Sequence, residues 1–573
     1  MSISTPLKNS MRLYYPPGEA FYSGLNEEAI SEEDYRRAEQ IWSTFGCQNF
    51  KDYHDHYLMT DVLLLADVFE QFRETGMEFY GLDPAQYLTL PSFSWDALLK
   101  LTNIELQLIS DPEMFLFFES NIRGGISQIS HRYARANNPQ VPDYDENLKN
   151  SYLAYLDANN LYGWAMSQAL PVGDFKFLDR DEIGCTDFLK TADDSPTGYV
   201  LECDLEYPQN LHDSHNDYPL APESILVTES MLSPFCKSFD QKHVDCRKLI
   251  PNLNNKSKYV LHYRNLKLYT SLGMKITKIY RVASFTQKPW MKKYIDFNTE
   301  KRTIAKNEFE KNFFKLLNNS VYGKAMENVR GHSLVNLVSD PTKFLKMTSR
   351  PQIKHFKIIN EDAVIVERVK AVVTLNKPIY TGFCILDLSK ILMYDFHYNV
   401  IVKRYGDDAR LLFTDTDSLC YHISTPDFYG DMGSMSNYFD TSDYPKNNML
   451  YSRKNAKVLG KMKDECAGKP AIEFVGLRSK MYSLLVDRSK PAKMTTKGVK
   501  RRYVEKHVRH EMYLHTLKSR ICTHAQFLQF RTSHHRIETV NFNKKCLSAY
   551  DDKRHVLGDG ESTLAYGHYK LCK

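Results

Sequence analysis

Between Arg410 and Ile423 the chain reads RLLFTDTDSLCYHI. Apolar Leu411, Leu412 and Phe413 lead into Asp415 and Asp417, and Leu419, Tyr421 and Ile423 lead out at every second position. Period two marks a half-buried strand, so the spacing predicts two short strands joined at the acids. Residues two apart on a strand face the same way, which aims both carboxylates at one spot. A second apolar run, SYLAYLDANNLYGWAM, predicts a strand ending at Asp157. Helical spacing recurs in EEDYRRAEQIWSTF, in YLMTDVLLLADVFEQFRETGMEFY and around TGFCILDLSKILMYDFHYNVIVKRYG. It also runs through DFNTEKRTIAKNEFEKNFFKLLNNSVYG, expected as one long helix. There Lys311, Lys315, Asn319 and Tyr322 share one face, and Phe309, Phe313, Leu316 and Leu317 are expected on the other. Gly124 and Gly125, in IRGGIS, mark a turn. Residues from about 174 to 260, rich in Asp, Pro, His and Asn, read as an insertion, and 331–370 as a second, polar and β-leaning one.

If the two acid-bearing strands lie side by side, Asp157, Asp415 and Asp417 converge, and a hard divalent cation is the natural counter-charge. Mg²⁺ suits such a site because it binds through few carboxylates plus substrate phosphates. The basic, amide and aromatic helix face fits a triphosphate and a stacked base. Composition restrains this picture without changing it. At 573 residues the chain is too long for one ordinary core. Its net charge of +5, from 75 basic and 70 acidic residues, leaves room only for local polyanion sites. One such patch is TTKGVKRRYVEKHVRH in the basic tail, which includes Lys500 and Arg501. Eleven scattered cysteines, with no C-x-x-C pair, suggest reduced thiols and an intracellular protein. The opening residues hold no apolar signal core, and no run approaches the roughly 18 apolar residues of a membrane span. His243 and Cys246 lack a second ligand pair and read as structural. Asp551 and Asp552, in AYDDKR, are followed by polar residues rather than a second apolar strand, unlike a reverse transcriptase acid pair.

Four stretches in order, DANNLYG (157–163), KLLNNSVYG (315–323), FTDTDS (413–418) and KMY (480–482), resemble the A, B, C and K-x-Y motifs of family B DNA polymerases. The two insertions resemble those of the protein-primed branch found in adenoviruses, linear plasmids and Maverick or Polinton-type transposons. The resemblance implies an α+β right hand with an antiparallel palm sheet, helical fingers and a thumb. It divides the chain into an exonuclease remnant and linker (1–120), palm (121–290 and 371–485), fingers (291–330), the second insertion (331–370) and thumb (486–573). It implies template-directed DNA synthesis from deoxynucleoside triphosphates on a primer-template, with two Mg²⁺ ions on Asp157 and Asp417 and with Asp415 beside them. Lys311 and Lys315 would meet the triphosphate, Tyr162 would select the sugar, and Asn319 and Tyr322 would shape the base-pair pocket. Lys480 and Tyr482 would hold the primer terminus. Arg123, Gly124 and Gly125, with Lys500 and Arg501 in the thumb, would contact DNA. A terminal protein is the expected primer, and a nucleus or a viral replication site the expected location. Asn160 and Gly163 stand where many members have Ser and Pro, Phe413 where Tyr is common, and Ile122 where Tyr is frequent. YLMTD, with Tyr57 and Asp61, resembles the third proofreading motif, but no D-x-E strand precedes it. Proofreading is therefore not expected, Asp61 is expected as a helix-surface acid, and the N-terminus is expected to be truncated. The alternative reading is a transposon-derived protein that binds DNA without catalysis. An RNA-templated polymerase is a second.

Overall fold

A computed structural model describes residues 15–489 and 492–571. The opening residues read above for a signal core lie outside this range, as does Cys572. The ten cysteines within it are all unpaired. Among the described residues, no helix is long and apolar enough to cross a membrane.

Helix α1 (Phe50–Tyr80) starts at a capping box between Asn49 and Asp52 and stops at Gly81, whose φ of 61° suits a residue without Cβ. Its C-terminal half packs on α2 (Leu90–Thr102), with the Phe72 ring 5.9 Å from Phe93. Its N-terminal half leaves Leu58, Val62, Leu63, Leu64, Leu65 and Val68 exposed. Next come strands β1 (Ser127–Ile129), β2 (Tyr133–Arg135) and β3 (Ser151–Ala158), and the short helix α3 (Leu161–Met166). Residues 170–288, which contain the stretch expected as the first insertion, form an antiparallel sheet of the strands Leu170–Phe177, Thr197–Glu206, Lys256–His262 and Lys275–Lys288.

The expected long helix is two, α4 (Lys292–Ile304) and α5 (Glu308–Ala325). Asn307 breaks it by capping α5, its side chain accepting the Glu310 N–H at 2.8 Å. The expected apolar face of α5 is shifted. Phe313, Phe314, Leu317 and Val321 are buried, whereas Leu316 is 50% exposed and Phe309 38% exposed. The stretch expected as the second insertion forms a three-stranded sheet, and α6 (Ile379–Asp395) then packs against α3, α5 and the strands Leu170–Phe177 and Lys256–His262, buried along most of its length.

The remaining strands are β4 (Ala409–Asp415), β5 (Ser418–Ser424), β6 (Phe439–Asp440), β7 (Met462–Asp464), β8 (Glu473–Arg478), β9 (Met481–Leu485) and β10 (Lys493–Thr496). They form a six-stranded sheet in the order β1-β4-β5-β3-β7-β6 and a four-stranded one in the order β10-β9-β8-β2. Past the basic helix α7 (Arg501–His507) a hairpin spans His524–Ser533 and Arg536–Lys545. Residues 546–571 then return to the β1 side of the main sheet. There the fully buried Arg132 donates to the carbonyls of Gly560 (2.9 Å), Leu477 (2.8 Å) and Ala549.

Candidate active site

One rung crosses the main sheet: Ser127 lies opposite Asp415, Asp415 opposite Ser418, Ser418 opposite Asp157, and Asp157 opposite Lys463. Residues opposed in an antiparallel pair project to the same face. The acids that stand far apart in the chain therefore meet at one sheet end. Asp415 and Asp157 are separated by the β5 strand, so at two inter-strand spacings their backbones lie roughly 10 Å apart.

The turn between β4 and β5 narrows the gap. The hairpin is as expected, but Asp417 sits in the turn, not on a strand, so the period-two reason for pairing it with Asp415 does not apply. Its N–H donates to the Asp415 carbonyl at 2.8 Å across Thr416, whose φ of 64° is unusual for a β-branched residue. The Asp417 carbonyl accepts the Ala158 N–H at 2.7 Å, which ties the turn to the end of β3. Gly125 lies beneath: a Cβ there would meet Thr416 Oγ1 at 2.5 Å, so this glycine seats the acid turn. Gly124 is exposed beside it.

Burial first, then the charges of Asp417 and Glu465, push Asp157 up to about 7, against the pull of Lys463 and Lys493. Asp417 is raised as well, chiefly by burial, with Asp415 and Glu465 adding to the rise and Lys480 offsetting it. Asp415 pairs instead, through its Oδ1, with Lys480 Nζ at 3.1 Å. Among the described residues, no three His, Cys, Asp or Glu side chains form a group able to hold a metal. Asp157 thus feels the charge of Asp417 and Asp417 that of Asp415, while the strand spacing keeps Asp415 and Asp157 apart. Half-buried carboxylates raised in this way fit a divalent ion that takes its other ligands from substrate and water.

The loop after Asp157 is held at several points. Asn159 donates to Asp440 at 2.7 Å, and its backbone exchanges hydrogen bonds with Gly460 and Lys461 at 2.8 Å. Asn160 caps α3, its Oδ1 accepting the Gly163 N–H at 3.1 Å. Tyr162 stacks on Tyr322 of α5, with rings 4.7 Å apart at 13°. Burial and the charge of Asp417 push the Tyr162 hydroxyl up to about 12. Along the same face of α5, Lys315 and Asn319 are exposed, and Lys311 is half-exposed and paired with Glu308 at 2.8 Å.

Other expected contacts are placed differently. The Arg123 guanidinium lies 3.9 Å over the Tyr259 ring and donates to the Val260 carbonyl at 2.7 Å, so it braces the first insertion. Tyr482 is buried, stacked 4.1 Å from Phe413, with its hydroxyl 3.0 Å from that of Tyr155. Its ring supports β4 from within the core. Lys500 donates to the carbonyls of Leu25 and Leu528, whereas Arg501 is 93% exposed. Lys463, Glu465 and Lys493 were missed, because only strand pairing brings them to Asp157. His243 bonds Tyr550 (2.8 Å) and Val227 (2.9 Å), a structural role as expected, and Asp61 lies exposed on α1.

A mixed fold with an acid turn at one sheet end and a basic helix face across from it defines a right-hand nucleotidyl-transferring polymerase. The family described as DNA polymerase type B, organellar and viral, matches residues 26–401, and the chain belongs to it. It is a DNA-directed DNA polymerase that synthesises DNA on a template, and the family works with divalent metal ions. The Phi29 DNA polymerase in an orthorhombic crystal form is 14% identical, with 95% of this chain and 79% of that one covered at a TM-score of 0.50, a likeness of fold. Its ternary complex with primer-template DNA and incoming nucleotide is likewise 14% identical (90% and 73% covered, TM-score 0.49). The family B polymerase of Pyrobaculum calidifontis is 10% identical (78% and 38% covered, TM-score 0.27). No protein of curated function matches the sequence.

Proposed function

We propose that Asp157 and Asp417 are the residues that hold the divalent ions of this synthesis, two Mg²⁺ in our reading. The observation that carries the assignment is the shared rung and tight turn, which bring two half-buried carboxylates to one sheet end, where Lys463 and Lys493 do not offset the rise of Asp157. When bound, the ions activate the primer 3′ hydroxyl and neutralise the triphosphate and the departing pyrophosphate. The protein's own part is positioning and charge. Lys315, exposed on α5, and Lys311, after leaving Glu308, meet the phosphate oxygens of the incoming nucleotide. The Tyr162–Tyr322 stack forms the floor under its sugar and base, with Asn319 beside it. Lys480, at the sheet end next to Asp415, faces the primer terminus, and Arg501 meets the phosphates of the product duplex.

The two inserted sheets support a protein-primed start, in which the hydroxyl of a terminal protein takes the first nucleotide. A nucleus or a viral replication site is where such a start would operate. Primer extension on a primed DNA template tests the core assignment. Asp417→Asn should slow incorporation by on the order of a hundredfold or more, the scale of removing one preorganised charge. Equal rates for wild type and variant would refute the ion-binding role.

A further inference from the structure

Lys553 lies in SAYDDKR, more than a hundred residues from any of the three acids, and nothing in its local pattern points to the active site. The returning tail brings it there. Its backbone is fixed on both sides: Cys236 Sγ donates to the Asp551 carbonyl at 3.0 Å, and Lys248 pairs with Asp552. The fully buried Arg554 donates to Thr563 Oγ1 at 2.6 Å and to the Asn216 carbonyl at 2.9 Å. So anchored, the Lys553 ammonium donates to the Ser127 carbonyl at 2.6 Å. Ser127 is the residue opposite Asp415 on the rung, and its hydroxyl is 2.7 Å from that of Ser479, next to Lys480. The charges acting on Lys553 are those of Asp551 first, then Lys497 and Lys248, and last Asp415.

Asp415 therefore pairs with the exposed ammonium of Lys480, while the half-buried ammonium of Lys553 binds the β1 residue opposite it. We propose that Lys553 is a positioning residue for nucleotidyl transfer: it fastens β1 under the acid turn and holds Asp415 toward the β1 edge, leaving Asp417 to face Asp157. The proposal rests on the assignment of Asp157 and Asp417 made above. Three substitutions in the full chain test it by primer extension as Mg²⁺ is varied. Lys553→Gln keeps a donor for the Ser127 carbonyl but removes the charge. It should fold with an unchanged melting midpoint, lower kcat about tenfold and raise the half-saturating Mg²⁺ severalfold, as loss of an outer-sphere partner does. The KM for primer-template should not move. Lys553→Arg should recover most of the rate, and Lys553→Met should be no better than Lys553→Gln. Wild-type kcat and Mg²⁺ dependence in Lys553→Gln would overturn the proposal, and so would losses that follow the melting midpoint alone. An active Asp417→Asn would instead sink the underlying site assignment, so the two failures are distinguishable.

Discussion

Asn160 and Gly163 stand where related polymerases have Ser and Pro, and side-chain geometry joins the two changes. The Asn160 side chain needs the Gly163 N–H, which a proline would lack, and a Cβ at 163 would come within 2.3 Å of Asn160 Nδ2. The same loop ends the strand that carries Asp157, so its rigidity bears on the acid. The folded chain holds the Asp157 proton up to about pH 7, whereas an unfolded chain releases it near 3.8. Folding thus takes up a proton between those values, and the metal-free protein loses stability as pH rises through that window. A divalent ion reverses the loss, because it gives the ionised pair a counter-charge. Thermal melting in chelator should therefore fall between about pH 5 and about pH 8. Mg²⁺ at the upper pH should raise the midpoint, and Asp157→Asn should flatten both responses. A wild-type midpoint indifferent to Mg²⁺ would count against the ion site.

Single elements followed local pattern closely. The hairpin β4–β5 stands where alternation predicts it and the strand β3 where its apolar run does, although all three strands are buried on both faces, and Lys315, Asn319 and Tyr322 share a face of α5 as their spacing requires. What periodicity did not show was pairing. Lys463 and Glu465 reach Asp157, and Tyr482 sinks behind Phe413, through contacts with strands tens to hundreds of residues away, and no local period encodes those. The Arg123 stacking is non-local in the same way, since the ring beneath it is that of Tyr259. Helix α1 is the reverse case: its local pattern is apolar on every side from Tyr57 to Phe69, yet those side chains face solvent. A helix apolar all round belongs in a core, and an uncovered one makes a sticky surface. Val62→Lys with Leu65→Lys should lower dye binding to exposed apolar surface and slow aggregation. The melting midpoint should barely move, since exposed substitutions shift stability by about 0.5 kcal/mol or less. A large drop in melting temperature would show that the stripe is covered in solution.

On the scale of the whole molecule, segments far apart in sequence fasten the basic helix and the C-terminal hairpin in place. The turn bridging Ser23 and Glu28 meets α7: Arg502 pairs with Glu28, His507 with Glu27 at 2.8 Å, and Lys506 donates to the Asn26 carbonyl at 2.9 Å. Across the molecule, Lys357 of the second insertion donates to the His535 carbonyl at the hairpin tip, 2.8 Å away. These contacts divide a basic stretch that looks uniform in sequence: Lys500 is tied to the carbonyls of Leu25 and Leu528, whereas Arg501 is 93% exposed and pairs with Glu505 of its own helix at 2.9 Å. The division is measurable because each phosphate a protein neutralises adds about −0.9 to the slope of log affinity against log salt on duplex DNA. Duplex binding by Arg501→Ala, followed by fluorescence anisotropy over a range of NaCl, should lose about one such increment. Lys500→Ala should keep the wild-type slope and instead melt earlier, having lost its tie to Leu25. Equal losses of slope in the two variants would mean that duplex DNA displaces the N-terminal turn from α7, and that the pairing seen here gives way when the polymerase engages its product.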